Sequence, residues 1–343
     1  LKNIQGGSFN VALGSEAMSS ATSAASNVAI GEAAMNTTTT ANFNVAVGRK
    51  ALFAHTTGTQ NTAIGAYSLT TQTIGEYNTA LGYGTLYTNL VGDFNVAVGH
   101  QALYTTATAD NTGRNVGVGV DAGFSNTTGI DNVFIGFAAG NKLTTSNNNT
   151  ALGMNALFGH ATQATTSLNN VALGHSAMYL ASGANYNVAV GEGALSGSTA
   201  MEGDSNAAVG RQALANTTTG HSNAALGYQA GYNVTTALRS QFIGHSAAGS
   251  VTTAQYVTAI GYQAGHNMTV TGNNVVIGRS AGHSLTKDYC TFVGINAGSG
   301  TTTGINNTYI GASAAKNSST GYYNVVVGNN AGNYLSGSTE YTA

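Results

Sequence analysis

The feature that most constrains this chain is a short phrase that recurs nineteen times along its 343 residues. The phrase runs from an asparagine through aliphatic and small residues to a glycine, as in Asn95-Val96-Ala97-Val98-Gly99. Its glycines lie at positions 14, 31, 48, 65, 82, 99, 119, 136, 153, 174, 191, 210, 227, 244, 261, 278, 294, 311 and 328. Most intervals between them are 17 residues, and the others are 16, 19, 20 and 21. A fixed period this short, along the whole sequence, predicts a solenoid whose repeats contact only their neighbours.

Composition narrows the function classes. Charged residues make up 6% of the chain and the net charge is −2, so the sequence has no electrostatic footprint for nucleic acid or an anionic membrane. It contains no apolar run long enough to span a bilayer and no visible secretory or transit signal. Cys290 is the single cysteine, which excludes an intrachain disulfide. The absence of proline suits an uninterrupted β-ladder, in which every backbone N–H is needed.

Aligning the repeats on their glycine, numbered zero, shows which positions keep their character. Position −1 is always aliphatic and −3 is mostly Val or Thr, as expected on one face of a strand of about five residues. Position +3 is Ala in seventeen repeats. Position −4 is Asn in sixteen repeats, and we expect these amides to hydrogen-bond along the stack and to accept a left-handed backbone. The invariant glycine indicates a positive φ or a close backbone approach.

Residue size at −2 and at +4 is correlated within a repeat. Where −2 is bulky, as at Phe134, +4 is small, as at Gly140; where +4 is Leu or Met, as at Leu103, −2 is alanine, as at Ala97. Because close-packed interiors conserve volume, −2 and +4 are predicted to share one apolar compartment, and −3, −1 and +3 another. Two compartments imply burial of both strand faces, as when solenoids pack together. We therefore expect a parallel homotrimer, with −3/−1 inside each roll and −2/+4 toward the three-fold seam.

Positions +6 to +12 lose the pattern and are rich in Thr, Ser, Gly and Asn, which is typical of outward turns. Three insertions fall there, at Tyr104–Arg114, Phe158–Asn169 and Ser196–Ser205. Threonine drifts between positions in these turns, so no flat ice-binding face is predicted. The regularly spaced aspartates of calcium-binding nonapeptide repeats are missing.

The sequence predicts no catalytic, cofactor or metal site. Of eight histidines, only His266 and His283 share a column in adjacent repeats, and a metal site needs more converging ligands. The twelve acidic residues form no pair placed for acid–base chemistry, so the chain is expected not to be an enzyme. Columns −5 and +5 are rich in Tyr and Phe, which can stack on sugars but more commonly pack over a turn and shield the ladder.

The phrase Asn-Val-Ala-Val/Ile/Leu-Gly-x-x-Ala-Leu resembles the head repeats of trimeric autotransporter adhesins, which form left-handed parallel β-rolls in homotrimers. It is equally similar to repeats of bacteriophage tail-fibre proteins, in which variants such as Gly261-Tyr262-Gln263-Ala264-Gly265 recur. The resemblance covers essentially the whole chain and implies a trimeric fibre. The adhesin repeat is usually a few residues shorter, and neither an adhesin anchor and stalk nor a fibre chaperone domain is recognisable. The resemblance therefore does not decide between phage and bacterium.

Together these observations predict an all-β chain, a parallel β-solenoid (β-roll) of about 19 coils packed as a parallel homotrimer. We expect residues 1–343 to form a single repeat domain of a longer protein, about 90 Å long at roughly 4.8 Å per coil. The leading hypothesis is the structural shaft of a phage tail fibre, in the virion, that spaces and presents a receptor-binding tip. The alternatives are a bacterial trimeric adhesin on the cell surface that binds host or matrix ligands, and a glycan-active β-helix enzyme. Beyond its own copies, the expected partner is a cell-surface glycan or receptor, reached through a tip outside this chain.

Overall fold

The computed structural model describes residues 7–106, 112–160, 166–268 and 270–335. It confirms the predicted fold class, because the chain is an all-β parallel β-solenoid of about 18–19 turns with a spacing of about 17 residues. None of the described residues is helical, and that part of the chain offers no helix able to cross a membrane. The chain divides into two compact units, Leu1–Asn170 and Val171–Ala343. A single repeat domain over 1–343 stays a prediction.

The first unit is a stack of short parallel strands, one in each coil. Successive strands pair in register, so equivalent residues lie side by side, as Val11, Val28 and Val45 do. The strands are β1 (Val11–Leu13), β2 (Val28–Ile30), β3 (Val45–Val47), β4 (Thr62–Ile64), β5 (Thr79–Leu81), β6 (Val96–Val98), β7 (Val116–Val118), β8 (Val133–Ile135) and β9 (Thr150–Leu152).

The second unit repeats this arrangement and adds a separate two-stranded parallel sheet. Its main strands are β10 (Val171–Leu173), β11 (Val188–Val190), β12 (Ala207–Val209), β13 (Ala224–Leu226), β14 (Gln241–Ile243), β16 (Thr258–Ile260), β18 (Val275–Ile277), β19 (Thr291–Val293), β20 (Thr308–Ile310) and β21 (Val325–Val327). The added sheet pairs β15 (Thr253–Gln255) with β17 (Val270–Gly272), in the turns that precede β16 and β18.

Each strand is three residues long, shorter than the five or so expected. The backbone leaves the extended region on both sides: Tyr77, at −5, has a φ of 56°, and Gly82, at zero, has a φ of 137°. Because these two conformations bend the chain, only positions −3 to −1 stay extended. Residue −5, and not the asparagine at −4, adopts the left-handed conformation, so that expectation is wrong.

Positions −2, +3 and +4 build the interior of each coil. Ala97, Ala102 and Leu103, at these three positions, have no exposed surface in the single chain. Positions −3 and −1 point the other way because side chains alternate along a strand, and Leu81, at −1, is 45% exposed. The expected placement of −3/−1 inside the roll and −2/+4 toward a seam is therefore wrong: −2 and +4 lie inside the roll, and −3 and −1 lie on its outer surface. The expectation that +3 shares a compartment with −3 and −1 is also wrong: alanine at +3 lines the interior with −2 and +4, because the turn after the glycine brings it back over the coil.

The predicted sharing of one compartment by −2 and +4 is confirmed. A Cβ atom on Gly298, at +4, would lie 2.7 Å from the ring of Phe292, at −2 of the same coil. The coupling also reaches the preceding coil, because a Cβ on Gly123 would lie 2.7 Å from the ring of Phe134, at −2 of the next coil. A bulky side chain at −2 therefore needs a small residue at +4 in its own coil and in the coil before it.

The asparagines at −4 form the predicted ladder. The Oδ1 of Asn78 accepts hydrogen bonds from the backbone N–H and the Nδ2 of Asn95, at 2.9 and 3.1 Å. The Nδ2 of Asn78 donates to the carbonyl of Gly92 at 2.8 Å. In the second unit Ser240, Val257 and Cys290 replace asparagine; the Oγ of Ser240 still accepts from the backbone N–H of Val257, whereas Val257 offers no side-chain acceptor to the next coil. Each asparagine thus pairs buried polar groups that the strands leave unpaired.

The glycine at position zero is required both for its positive φ and for a close backbone approach, the two reasons that its invariance indicated. At Gly99 the backbone φ is 128°, a region that side chains disfavour. A Cβ there would also lie 2.5 Å from the carbonyl oxygen of Gly119 in the next coil. No residue with a side chain fits where successive backbones approach this closely.

Two more interior columns lie in the turn, where the sequence pattern is lost. Position +7 is buried in coil after coil although its residues vary from polar to apolar, and the buried residue three positions later is Gly, Ala or Ser in most coils. The Nε2 of His55 donates to the carbonyl of Gly58 at 2.8 Å, and the Nδ2 of Asn89 donates to that of Gly92 at 2.9 Å. A Cβ on Gly58 would lie 2.5 Å from the imidazole of His55. A long polar side chain followed three residues later by glycine is therefore a sequence signal for both columns, and it recurs at Gln72 and Asn126.

Candidate interaction surface

The residues at −3 and −1 form the outer surface of the parallel sheet, here called the outer aliphatic face. Because the strands pair in register, each column is a row made mostly of Val, Ile, Leu and Thr, interrupted at −3 in the second unit by Ala207, Ala224 and Gln241. Its most exposed members at −1 are Leu13, Ile64, Leu81 and Leu152 in the first unit and Val209, Leu226, Ile243, Ile310 and Val327 in the second. Their exposed fractions run from 37% to 66%. Parallel sheets normally have both faces covered, and a long exposed apolar row marks a binding surface.

Aromatic side chains widen the outer aliphatic face on both sides. At −5 the rings are exposed, and Tyr77 and Phe94 stack with centroids 5.1 Å apart and planes 3° apart. At +1, Tyr83 stacks on His100 with centroids 5.4 Å apart. The rings at −5 therefore do not shield a turn, as their column was expected to do, but extend the apolar surface.

The turn surface is polar, and its threonines are more regular than expected. Position +8 is threonine in most coils, so the expectation that threonine drifts is wrong for this column. The Oγ1 of Thr39 donates to the carbonyl of Thr56 at 3.1 Å, and the Oγ1 of Thr56 donates to that of Thr73 at 2.9 Å. Because these hydroxyl protons are engaged with the backbone of the next coil, the column stabilises the stack.

The two histidines considered as metal ligands lie side by side in the second unit. The rings of His266 and His283 stack with centroids 5.6 Å apart, and the Nδ1 of His266 lies 2.8 Å from the Oδ1 of Asn267. Burial, with a smaller contribution from His266, lowers the pKa of His283. Across the residues that the structure describes, no group of three or more His, Cys, Asp or Glu side chains is arranged to hold a metal ion.

A surface pocket in the second unit brings two carboxylates together at the insertion predicted at Ser196–Ser205. Its volume is about 280 Å³, and it is lined by Glu202, Asp204, Ser205, Thr219, His221 and Ser222. The Oδ1 of Asp204 accepts hydrogen bonds from the backbone N–H and the Nδ2 of Asn185, at 2.7 and 3.2 Å. This carboxylate therefore ties the insertion to the preceding coil. The other two insertions include residues 107–111 and 161–165, which lie outside the described residues.

The chain was compared with family models, curated proteins and solved structures. It matches no family model, no curated protein and no solved structure. What the outer aliphatic face does must therefore be inferred from its geometry and chemistry.

Proposed function

We propose that this chain is a structural fibre shaft, which assembles with two further copies of itself into a parallel homotrimer and presents a receptor-binding tip. The observation that carries the proposal is the outer aliphatic face, whose apolar columns stay exposed or half-buried in coil after coil of each unit. A surface that repeats with every coil is matched by a partner with the same repeat, and another copy of the chain is such a partner. Three parallel copies close around one axis.

In this assembly positions −3 and −1 lie at the three-fold seam, and the aromatic columns at −5 and +1 flank it. The interior of a single coil is thin: alongside small residues such as Ala97 and Ala102 it holds only one or two large apolar side chains, such as Leu103. Covering the valine, isoleucine and leucine rows adds about 25 cal/mol for each Å² buried. The same gain recurs at every coil, and it gives a stiff spacer without disulfides.

The test is the mass of the chain in solution. Sedimentation equilibrium at micromolar concentration is expected to give three times the 34.4 kDa of one chain. Leu226→Glu places a charge on the seam at a side chain 52% exposed in the single chain, and is expected to yield monomers. Thr236→Glu, on the exposed turn of the same coil, is the matched control and should stay trimeric. A monomeric wild-type chain would contradict the proposal.

The shaft proposal assigns the chain to a phage tail fibre, on the virion, and the alternative is a bacterial trimeric adhesin on the cell surface. Both predict a homotrimer, so the mass does not separate them. The neighbouring genes do: tail and baseplate genes support the fibre, whereas a lone surface gene with a membrane anchor supports the adhesin.

A glycan-active enzyme is the third candidate, and the pocket that holds Glu202 and Asp204 favours it. The Oδ1 of Asp204 accepts two hydrogen bonds from Asn185, so this carboxylate also has a structural role. Release of reducing ends from a panel of polysaccharides, assayed with the wild-type chain and with Glu202→Gln, tests this candidate. Hydrolysis by the wild type that Glu202→Gln abolishes would replace the shaft proposal.

A further inference from the structure

We propose that the first unit carries a binding site for a single neutral sugar ring. The site, here called the aromatic cradle, is a cavity of about 200 Å³ lined by Tyr67, Tyr83, Gly84, Tyr87, Gln101 and Tyr104. All six residues belong to one chain, so a single chain builds the whole site, and Tyr83 at +1 is also the wall that adjoins the seam of the proposed homotrimer.

The walls of the cradle are stacked aromatic rings from two columns. On one side, Tyr87 and Tyr104, at +5 of successive coils, stack with centroids 5.0 Å apart and planes 7° apart. Phe124 continues this stack at 5.1 Å from Tyr104. On the other side Tyr83, at +1, is backed by the imidazole of His100 at 5.4 Å. Because each ring is held by its neighbour, the walls are ordered before a ligand arrives.

The space between the walls exists because of a glycine. Position +2 carries a side chain in all but two coils, and the exceptions are Gly84 and Gly193. A Cβ on Gly84 would lie in ordinary contact with the ring of Tyr104, at 3.5 Å, and with Gln101, at 3.6 Å. A side chain at this position would therefore fill the cradle without straining its walls.

The cradle is closed at both ends by the same column. Tyr67, one coil before Gly84, has its ring centroid 5.7 Å from that of Tyr83 and 6.5 Å from that of Tyr87. Gln101 lies one coil after Gly84. Two coils rise roughly 9.6 Å, which leaves room for one six-membered ring and excludes an extended chain.

The chemistry of the lining matches a sugar. The C–H faces of a pyranose are apolar and pack on aromatic faces, while its hydroxyls need both donors and acceptors. Four phenol hydroxyls and the amide of Gln101 supply both, and none of them forms a hydrogen bond with another residue that the structure describes. Burial, and then the proximity of Tyr87 and Tyr83, raises the pKa of Tyr104, which keeps this phenol a donor. No charged side chain lines the cradle, so the ring it fits is neutral.

A proline-rich peptide is the other ligand that aromatic grooves bind, and the geometry disfavours it. Such a peptide lies extended at about 3.1 Å per residue and needs an open groove several residues long. The cradle, closed by Tyr67 and Gln101, offers no such groove.

The experiment is saturation-transfer NMR on the full chain with the methyl glycosides of glucose, galactose and mannose, and with decaproline. We expect transfer to the ring protons of at least one hexoside, with a Kd on the order of 1 mM for so small a ligand. Gly84→Gln should fill the cradle and weaken this binding at least about tenfold. Glutamine is chosen because the +2 position of the next coil, Gln101, already carries it. Tyr83→Ala, at an exposed wall residue that the fold does not need, should weaken the binding to the same degree.

Gly193→Gln is the matched control. Gly193 has the same φ of 63° and the same column as Gly84, but its neighbours are Gln212 and Ser196 instead of aromatic rings. Binding by this variant is expected to equal that of the wild type, and circular dichroism shows whether each variant keeps its β-structure. The proposal is overturned if no hexoside shows transfer at millimolar concentration, if Gly84→Gln or Tyr83→Ala binds as the wild type does, or if only decaproline binds.

Discussion

Two regions of the molecule fill the same backbone with different side chains. In the four coils of the first unit whose position-zero glycines run from Gly48 to Gly99, the interior holds leucine at +4, alanine at −2 and polar residues at +7. In the four coils of the second unit whose position-zero glycines run from Gly227 to Gly278, +4 is glycine or alanine. The apolar volume is supplied instead by other columns: Phe242 and Val276 at −2, and Val234, Met268 and Leu285 at +7. Strand length and the turn glycine are unchanged. The backbone therefore specifies the volume inside a coil and leaves open which column supplies it.

The contacts show how the exchange works. A Cβ on Gly265, at +4, would collide with the sulfur of Met268, so the +7 side chain of this coil occupies the space that leucine fills in the first unit. In the coil with Leu86 at +4, Asn89 at +7 turns instead to the carbonyl of Gly92. Large apolar residues at +7, such as Val234, Met268 and Leu285, therefore occur only in coils whose +4 residue is glycine or alanine.

The largest expected effect comes from removing a bulky −2 side chain that is flanked by a glycine at +4 in its own coil and in the coil before it. Phe134→Ala should lower the free energy of unfolding by about 3–5 kcal/mol, because Gly123 and Gly140 leave a cavity around it. Adding Gly140→Leu should restore part of that loss, since leucines at +4 adopt a φ near 49°, close to the 63° of Gly140. Urea unfolding of the single and double variants measures both changes, with Phe9→Ala, at a side chain 90% exposed, as the control. No recovery in the double variant would show that volume is not exchangeable between the two columns.

A second difference between the regions is pH dependence, because the first unit buries a histidine at +7. Burial lowers the pKa of His55 to about 4, with a smaller opposing effect of its hydrogen bond to Gly58. The unfolded chain therefore binds the proton first, and the stability that His55 contributes is complete above pH 6.5 and is lost as the pH falls toward 4. At most about 3 kcal/mol disappears across this window. His55→Asn, which recreates the pairing of Asn89 with Gly92, should remove that part of the acid sensitivity.

The measurement for His55 is the urea midpoint at pH 7, 5.5 and 4. His221→Asn, at an exposed histidine of the second unit, is the control and should keep the pH dependence of the wild type. Identical pH profiles for the wild type and His55→Asn would show that His55 is not held neutral by burial.

A smaller effect is expected from overfilling a leucine-filled coil. Ala97→Phe should cost about 1–3 kcal/mol, because its ring meets Leu103 in its own coil and Leu86 in the coil before. Leu103→Gly should recover part of this cost, and Leu86→Gly in addition should recover more, since Phe134 is flanked by two glycines in the same way. Urea unfolding of the single, double and triple variants gives the three values. Strictly additive losses would show that these side chains do not share a compartment.

The fold was predictable from the sequence because a fixed period and a strand-like alternation leave little choice but a parallel solenoid. Which column faces inward was not, because both faces of the strand are apolar. The usual expectation that larger aliphatic residues lie inside fails here: the narrow coil holds Ala97, whereas Val96 and Val98 lie on the outer face. The aromatic cradle was not predictable either. The sequence shows the columns to which its rings belong, but the space between the rings depends on the absence of a side chain at Gly84.

The smallest expected effect on stability comes from replacing an unpaired polar side chain at +7. Gln72 is fully buried, and neither its Nε2 nor its Oε1 finds a hydrogen-bond partner, unlike the amide of Asn89. The second unit places Met268 in this column without such a cost. Gln72→Met keeps the length of the side chain and removes two unpaired polar atoms, so it should raise the free energy of unfolding by about 1 kcal/mol. Met268→Gln, the reverse change, should lower it by about 1–3 kcal/mol. Urea unfolding measures both, and a destabilised Gln72→Met would mean that the buried Leu69 at +4 leaves no room for an apolar residue at +7.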